Sequence, residues 1–193
     1  MKQLVNLDFT PEDVLRDFYP GDTPMFNILL QHSRQVCSKA LALLDTAGGK
    51  FSANRDIVVY GAMLHDIGIG RCHAPGIFCS GNEPYIRHGV IGGGMLREWG
   101  RKYGTDMEVF ARICERHTGS GISAEEIVRQ GLPLPAEDFF PETPEEEIIC
   151  VADKFFSKSG DMQEKSVEEI LKGMKRFGEG SVARWNILYS KFF

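Results

Sequence analysis

The chain lacks the features of several specialised classes of protein. No apolar run approaches the roughly 20 residues that a membrane-spanning helix needs, and the first residues are too polar for a secretory signal. The five cysteines are scattered and without CxxC spacing, which predicts reduced thiols in a cytoplasmic protein. The net charge of −5 gives no electrostatic reason to expect a nucleic acid as the main partner, and no membrane partner is expected.

The remaining composition is that of an ordinary globular protein. Hydrophobic residues make up 42% and charged residues 25% of 193 residues, which is typical of a folded domain. A chain of this length buries one substantial core without disulfides. We expect a single domain over residues 1–193, with its core at about 26–160 and C-terminal helices at 161–193 packed on that core.

Helix-start signals recur along the chain, whereas strand-like alternation is nearly absent. A capping residue stands before a proline at Thr10-Pro11, which is a favoured helix start. Further starts are predicted at Asn54, Thr105, Ser123, Thr143, Ser166 and Ser181. The sequence therefore predicts an all-α protein.

Apolar residues at helical spacing predict helices over Phe26–Thr46 and His88–Trp99. Glycines and prolines interrupt this spacing in Arg71–Pro84 and Gly131–Pro141, which we interpret as loops. The Gly92-Gly93-Gly94 run weakens its helix by about 1 kcal/mol per glycine. Close packing of another segment is the favoured explanation for this run, ahead of a phosphate-binding turn.

Four of the five histidines and two aspartates fall among apolar residues. His32 lies on the helix face of Leu29 and Val36, and the His65-Asp66 pair ends an apolar run. A single histidine in such a position is usually a core residue whose ring nitrogens are hydrogen-bonded within the protein. Uncompensated buried charge costs several kcal/mol, and a shared metal would satisfy six such groups together, as helical bundles do in their cores. The predicted ligands are His32, His65, Asp66, His88, His117 and Asp153.

The order His…His-Asp…His…His…Asp resembles the HD superfamily of metal-dependent phosphohydrolases. His65-Asp66-Ile67-Gly68 matches the HDIG variant, and the resemblance extends from about Gln31 to Lys158. It is strongest to a small, uncharacterised prokaryotic branch of HDIG-domain proteins. That branch shares the motifs found here as Arg71-Cys72-His73, His88-Gly89 and Arg116-His117-Thr118-Gly119-Ser120-Gly121-Ile122.

The resemblance implies an HD-type helical bundle with a dinuclear metal site in its core. His32, His65, Asp66 and Asp153 would bind the first metal, and Asp66 would bridge to a second metal bound by His88 and His117. Neutral imidazole ligands favour Fe, Mn, Co, Ni or Zn over Mg or Ca. The expected cofactors are therefore two divalent transition metal ions.

The expected reaction is hydrolysis of a phosphate ester or anhydride of a nucleotide or small metabolite. A water between two cations ionises near neutral pH, so a metal-bound hydroxide would attack phosphorus, with Asp66 and His65 as the catalytic residues. Arg71, His73 and Lys154 are candidate substrate-binding residues, since phosphate sites recruit cationic donors. The basic residues beside the predicted ligands have an alternative, structural role: they could form ion pairs with nearby glutamates instead of binding substrate. Substrate specificity is expected from the two loops.

Two other functions remain open. Some HD-fold enzymes bind a mixed-valent di-iron centre with the same six ligands and act as oxygenases that cleave a C–C or C–P bond. The ligand set does not distinguish this oxygenase chemistry from phosphate hydrolysis. A non-catalytic nucleotide-binding regulatory module is disfavoured, because no ligand position is substituted. The aromatic C-terminus, with Trp185, Tyr189, Phe192 and Phe193, is expected to pack on the core or to form a homodimer face.

Overall fold

The computed structural model describes residues 9–193, and this part of the chain forms nine α-helices and one short β-hairpin. The predicted all-α class is confirmed. No helix in the described range is long and apolar enough to cross a membrane. The helices are α1 (Pro11–Phe18), α2 (Pro24–Ala47), α3 (Arg55–Leu64), α4 (His88–Tyr103), α5 (Glu108–Arg116), α6 (Ala124–Gln130), α7 (Pro144–Asp153), α8 (Val167–Met174) and α9 (Glu179–Ser190), and the strands are β1 (His73–Ala74) and β2 (Cys79–Ser80).

Most predicted helix starts are confirmed, because side-chain caps satisfy the first backbone N–H groups of each helix. Asn54 Oδ1 accepts hydrogen bonds from two backbone amides at the start of α3. Complete capping boxes begin the helices after Thr10, Ser123, Thr143 and Ser166. These local interactions account for the accuracy of the sequence prediction at these positions.

Two predicted helix starts are wrong. Thr105 does not cap α5; instead Asp106 Oδ1 accepts a hydrogen bond from the backbone N–H of Glu108 at 2.9 Å. The last helix begins at Glu179, so Ser181 lies inside α9 rather than before it. The Ser181 side chain is buried and its hydroxyl lies 3.1 Å from that of Ser120. This contact joins segments far apart in the chain, so no local pattern reveals it.

The Arg71–Pro84 segment contains the hairpin, where the sequence predicts only a loop. β1 and β2 are antiparallel, with His73 opposite Ser80 and Ala74 opposite Cys79. The backbone N–H of His73 also donates to the carbonyl of Glu83 at 2.8 Å. Strands of two residues are too short to show the period of two on which sequence prediction depends.

A close approach of backbones brings the turn after α3 onto α4. A Cβ atom at Gly68 would lie 2.1 Å from the carbonyl oxygen of His88 and 2.6 Å from the nitrogen of Gly92. Only glycine fits at such a contact. Close packing is thus confirmed at Gly92, whereas a Cβ at Gly94 would have no neighbour within 4 Å. The contact sets the HDIG turn directly against the first turn of α4.

The core lies between α2, α3, α5 and α7; α3 and α7 contact each other, and each of them also contacts α2 and α5. Its largest fully buried side chains include Phe26, Leu29, Leu64 and Phe110. At the C-terminus, Trp185 and Phe192 are fully buried in this core, while Phe193 is 62% exposed. Packing on the core is therefore confirmed for Trp185 and Phe192. The helices that form the core also carry most of the predicted ligands.

Candidate metal centre

The structure brings all six predicted ligands into one buried cluster. They come from the interior of α2, the C-terminal ends of α3, α5 and α7, and the first turn of α4. Each of the six is at most 6% exposed. The ligand atoms of each of two groups lie within 4.8 Å of one another: His32, His65, Asp66 and Asp153 in one, and Asp66, His88 and His117 in the other.

In the first group, the two imidazoles approach one oxygen of each of the two carboxylates. His32 Nε2 lies 2.9 Å from Asp153 Oδ1 and 3.1 Å from Asp66 Oδ2. His65 Nε2 lies 3.1 Å from Asp66 Oδ2 and 3.5 Å from Asp153 Oδ1. Two imidazoles and two carboxylates therefore converge on one point, as a transition-metal site requires.

The second group gathers around the other oxygen of Asp66. Its Oδ1 atom lies 3.4 Å from His88 Nε2 and 3.5 Å from His117 Nε2. The two Nε2 atoms are 3.0 Å apart. Asp66 thus presents one carboxylate oxygen to each group.

Backbone carbonyls orient three of the four imidazoles. The Nδ1 atoms of His65, His88 and His117 lie 2.6, 2.7 and 2.7 Å from the carbonyl oxygens of Ala62, Tyr85 and Cys114. Each Nδ1–H therefore donates to the residue three positions earlier. This hydrogen bond selects the tautomer whose Nε2 carries a lone pair, and it holds the ring in place as in most histidine metal sites.

The cluster has the polar atoms that a bound metal would satisfy. His65 Nε2 and both oxygens of Asp66 are buried and make no hydrogen bond of acceptable geometry. The tautomers assigned above also point the lone pairs of His88 Nε2 and His117 Nε2 at each other, a repulsive contact unless a cation lies between them. Metal–nitrogen bonds of about 2.1 Å meeting at a right angle separate two nitrogens by about 3 Å. These residues fit a metal.

Burial and neighbouring charges set the ionisation of the cluster. Burial lowers the pKa of His88 to about 3 and also lowers the pKa of His117. Burial alone would raise the pKa of Asp66, but the nearby Lys158 ammonium is the largest influence in the opposite direction, and that pKa lies well below its usual range. His88 and His117 are thus neutral and Asp66 is ionised, which are the states that bind a metal.

Lys158 is a polar neighbour of the cluster that the sequence analysis missed. Its Nζ lies 2.6 Å from Asp66 Oδ2, and its side chain is 13% exposed. The Tyr85 hydroxyl lies beside this ammonium. Burial acts to lower the pKa of Lys158, but Asp66, Tyr85 and Asp153 outweigh it and raise that pKa. Its place five residues beyond a predicted ligand, after the apolar Phe155-Phe156 pair, is the signal that could have identified it.

The candidate substrate-binding residues lie in different surroundings. Lys154 lines the cavity next to the cluster, and its Nζ lies 2.5 Å from Asp153 Oδ2. Arg71 and His73 are exposed on the hairpin segment and are not among the residues that line this cavity. Their substrate contacts stay a prediction.

Two other basic residues that precede ligands have structural partners. Arg87 Nη1 pairs with Glu83 at 2.5 Å, as the structural alternative anticipated. Arg116 Nη1 donates to the carbonyl of Phe140 at 2.7 Å. Glu115, the glutamate that directly precedes Arg116 in the sequence, binds Arg97 rather than Arg116. These pairings account for both arginines without a substrate.

The cluster opens into a cavity of about 440 Å³. His88, His117 and Asp153 form its polar end, together with Lys154 and Lys158. The other walls come from the segments around α4 and α6 and from the C-terminal helices. Of the two loops expected to set specificity, Arg71–Pro84 contributes no lining residue and Gly131–Pro141 contributes only Leu132. The glycine-containing segment after His117 does line it, through Thr118, Gly119 and Gly121.

Comparison with known proteins identifies the family. The HD domain family matches residues 29–157, a span that contains all six residues of the cluster and more than half of the chain. The chain belongs to the HD domain family. The resemblance to the HD superfamily of metal-dependent phosphohydrolases is thereby confirmed. HD domains bind divalent metals, and the buried His/Asp groups of this chain are ones that could hold a metal ion.

The matches between this HD-domain protein and its curated relatives cover only part of each relative's length. An uncharacterized protein of Methanocaldococcus jannaschii is 36% identical over 126 residues, covering 65% of this chain and 64% of that protein. Proteins named tRNA (cytidine(56)-2'-O)-methyltransferase from Thermoplasma volcanium and Picrophilus torridus are 36% and 33% identical. The matches cover 67% and 68% of this chain but only 32% of each methyltransferase.

A solved structure supports the fold. The crystal structure of the HD domain of the L. monocytogenes phosphodiesterase PgpH matches this chain with a TM-score of 0.50. The match covers 93% of this chain and 94% of that domain at 17% sequence identity. At this identity the likeness concerns the fold alone, and it agrees with the predicted HD-type helical bundle.

Proposed function

We propose that this HD-domain protein is a metal-dependent phosphohydrolase that cleaves a phosphate ester or anhydride of a nucleotide or other small metabolite. One observation carries the proposal: the two ligand groups share Asp66, and the cluster they form opens into a cavity that also exposes Lys154 and Lys158. Positive charge beside a metal centre is what a phosphoryl group needs for binding and for stabilisation of its transition state.

We propose two metals, because each oxygen of Asp66 faces a separate set of ligands. His32, His65 and Asp153 would hold one, and His88 and His117 the other. Bound divalent metals supply a water of lowered pKa and positive charge for a phosphoryl oxygen. The imidazole-rich ligand set favours Fe, Mn, Co, Ni or Zn.

The residues of the chain hold the reacting groups in place. In the proposed reaction the oxygen of water forms a bond to phosphorus, the phosphorus–oxygen bond to the leaving group breaks, and the leaving oxygen takes a proton. The carbonyl contacts of His65, His88 and His117 keep their Nε2 atoms directed inward. Lys154 and Lys158 line the cavity where the phosphoryl oxygens would lie, and their ammonium groups would bind those oxygens.

Methyl transfer is not part of this proposal. The chain matches only 32% of each protein named as a tRNA methyltransferase, so the activity of those longer proteins is not carried over to it. The proposed hydrolysis relies on the buried His/Asp cluster, which lies within the residues that match the HD domain family.

The proposal is tested by metal analysis of the purified protein, followed by anaerobic assays of phosphate release from a panel of phosphorylated metabolites with each candidate metal. We expect turnover with at least one substrate. Asp66→Asn should lose both metal and turnover, because it removes the shared carboxylate, whereas Asp22→Asn, at an exposed position, should retain both. Phosphate release by Asp66→Asn at the wild-type rate would refute the proposal, and a strict need for O2 would favour the oxygenase alternative.

A further inference from the structure

We propose that the organic part of the substrate is apolar, an alkyl or aryl group esterified directly to phosphate, rather than a sugar. This inference rests on the proposed function, which places the phosphoryl group at the metal centre. It adds the chemical class of the leaving group. The evidence is the uneven distribution of polar and apolar side chains around the cavity.

The polar groups of the cavity are concentrated at the metal centre. His88, His117 and Asp153 lie there, with the ammonium groups of Lys154 and Lys158. Lys158 approaches Asp66 and Lys154 approaches Asp153. A dianionic phosphate finds its partners at this end and needs none elsewhere in the cavity.

The rest of the cavity presents apolar side chains from separate segments of the chain. They are Ile86, Ile122, Leu132, Met174 and Phe177. Met174 is 5% exposed, whereas Phe177, which directly precedes the loop into α9, is 60% exposed. An exposed aromatic ring beside a small-molecule cavity is stabilised when an apolar ligand covers it.

The charged pair on this wall already has partners within the protein, although Arg184 Nε makes no hydrogen bond. Both carboxylate oxygens of Glu126 accept hydrogen bonds from Arg184 Nη2 at 3.0 Å, and Oε2 also accepts one from the backbone N–H of Ser123 at 2.9 Å. Arg184 Nη2 donates further to the carbonyl of Gly121 at 3.2 Å. Breaking these contacts to bind a ligand would leave a partly buried charge without its partner.

The Ser181 hydroxyl on the same wall also has a partner within the protein. Ser181 is buried, with its hydroxyl 3.1 Å from that of Ser120. Outside the metal centre, Thr118 and Gln130 also line the cavity, and their polar side-chain groups remain for a ligand. A sugar would lose the water around several hydroxyls and regain few hydrogen bonds, which is costly. An apolar group avoids this cost and covers the five apolar side chains.

A matched pair of substrates tests whether the cavity prefers an apolar group to a sugar-like group. Hexyl phosphate and sorbitol 6-phosphate are both linear six-carbon primary esters, and they differ in the hydroxyls of the chain. With the full-length protein loaded with Mn²⁺, we expect kcat/KM to be at least ~10-fold higher for hexyl phosphate, in line with the discrimination that apolar pockets achieve. Calorimetric titration of both compounds into metal-free protein should show tighter binding of hexyl phosphate.

A side-chain truncation tests the wall itself. Phe177→Ala should weaken hexyl phosphate binding and turnover roughly 10-fold, while sorbitol 6-phosphate changes little, because the ring contacts only the organic part. Phe193→Ala is the matched control, since Phe193 is equally exposed but does not line the cavity. It should leave both compounds unaffected.

The outcomes separate this inference from the proposed function. Tighter calorimetric binding of hexyl phosphate without phosphate release from any compound would support the apolar class and count against hydrolysis. Phosphate release with equal or greater efficiency for sorbitol 6-phosphate would overturn the apolar class alone. Absence of binding by hexyl phosphate, or an unchanged preference in Phe177→Ala, would also overturn it.

Discussion

Asp66 and Lys158 form a close, buried charged pair at the candidate metal centre. The Lys158 ammonium lies 2.6 Å from the carboxylate that faces both ligand groups, and it also lines the cavity. A buried ammonium survives only where a negative charge compensates for its lost hydration. When a phosphorylated substrate enters, its oxygens provide a second negative partner at the same place. Lys158 is therefore suited to bind the phosphoryl group without acting as a metal ligand.

Replacing Lys158 with methionine should lower kcat/KM about 100-fold, the loss typical for one group that stabilises transition-state charge. Metal content should remain, because no ligand is removed. Measured phosphate release and bound metal check both expectations. Lys158→Arg should restore part of the activity, since it restores the charge. Lys191→Met, at a surface pair with Glu147, is the control, and wild-type kinetics of Lys158→Met would contradict this role.

At the scale of the helices, the contact between the HDIG turn and α4 decides the geometry of the site. The turn carries Asp66, and α4 begins with His88, so the two ligands are in register only while these backbones touch. Gly68 and Gly92 allow that contact. The glycine run predicts close packing, but the segment that packs there is known only from the structure, because the contact is not local.

Gly68→Ala should destabilise the protein by about 3 kcal/mol, since the added Cβ would meet the carbonyl of His88 at 2.1 Å. It should also weaken metal binding by displacing His88. Denaturant unfolding and metal titration measure the two effects. Gly94→Ala is the matched control: its Cβ has open space, and it should stabilise α4 by about 0.5–1 kcal/mol. Equal stability of the two variants would show that the contact is not tight.

The contact of α1 with α4 should make stability depend on pH. Hydrogen bonds from Trp99 Nε1 at 2.9 Å and Tyr103 Oη at 2.8 Å lower the pKa of Asp17. Because the folded pKa is depressed, the stabilisation is present above the unfolded value of about 3.9 and is lost as the pH falls through the lower folded value.

Asp17→Asn should therefore be less stable than wild type by about 1 kcal/mol at pH 7, a modest value because the carboxylate is exposed. The difference should shrink as the pH is lowered toward 3. Urea unfolding at several pH values measures it, with Asp22→Asn as the control. A difference that does not change with pH would exclude the ionised carboxylate as its source.

For the whole molecule, the metal centre links segments that are far apart in sequence. Its ligands run from His32 to Asp153 and come from five helices or their ends. Ligands of the folded state stabilise it by mass action. Metal is therefore expected to stabilise the arrangement of the helices as well as to support chemistry. A single domain over residues 1–193 stays a prediction at this scale.

Removal of metal by a chelator should lower the thermal midpoint, and addition of metal should restore it. At a free metal concentration of 100 times Kd the stabilisation is about 2.7 kcal/mol. Differential scanning calorimetry measures the shift. Asp66→Asn should show little response to chelator or metal, because it lacks the shared ligand. A wild-type midpoint that is the same with and without metal would contradict a structural contribution from the centre.

The sequence by itself determined the all-α class, most helix starts and the six residues of the cluster. Caps such as Thr143 act within three or four residues, so a local pattern contains the whole interaction. The ligands were identifiable because ionisable groups among apolar residues need a common partner. Their spacing also matched a known family order.

Only the tertiary structure decided the walls of the cavity, the place of Lys158 and the burial of Ser181. Phe177 and Leu132 meet at the cavity although 45 positions separate them in the chain, and no periodic pattern encodes such a meeting. These contacts depend on how whole helices pack, which is the sum of many weak non-local interactions. The residues of the candidate metal centre can thus be identified from the sequence around each of them. The surface that a substrate would meet depends instead on how the helices pack.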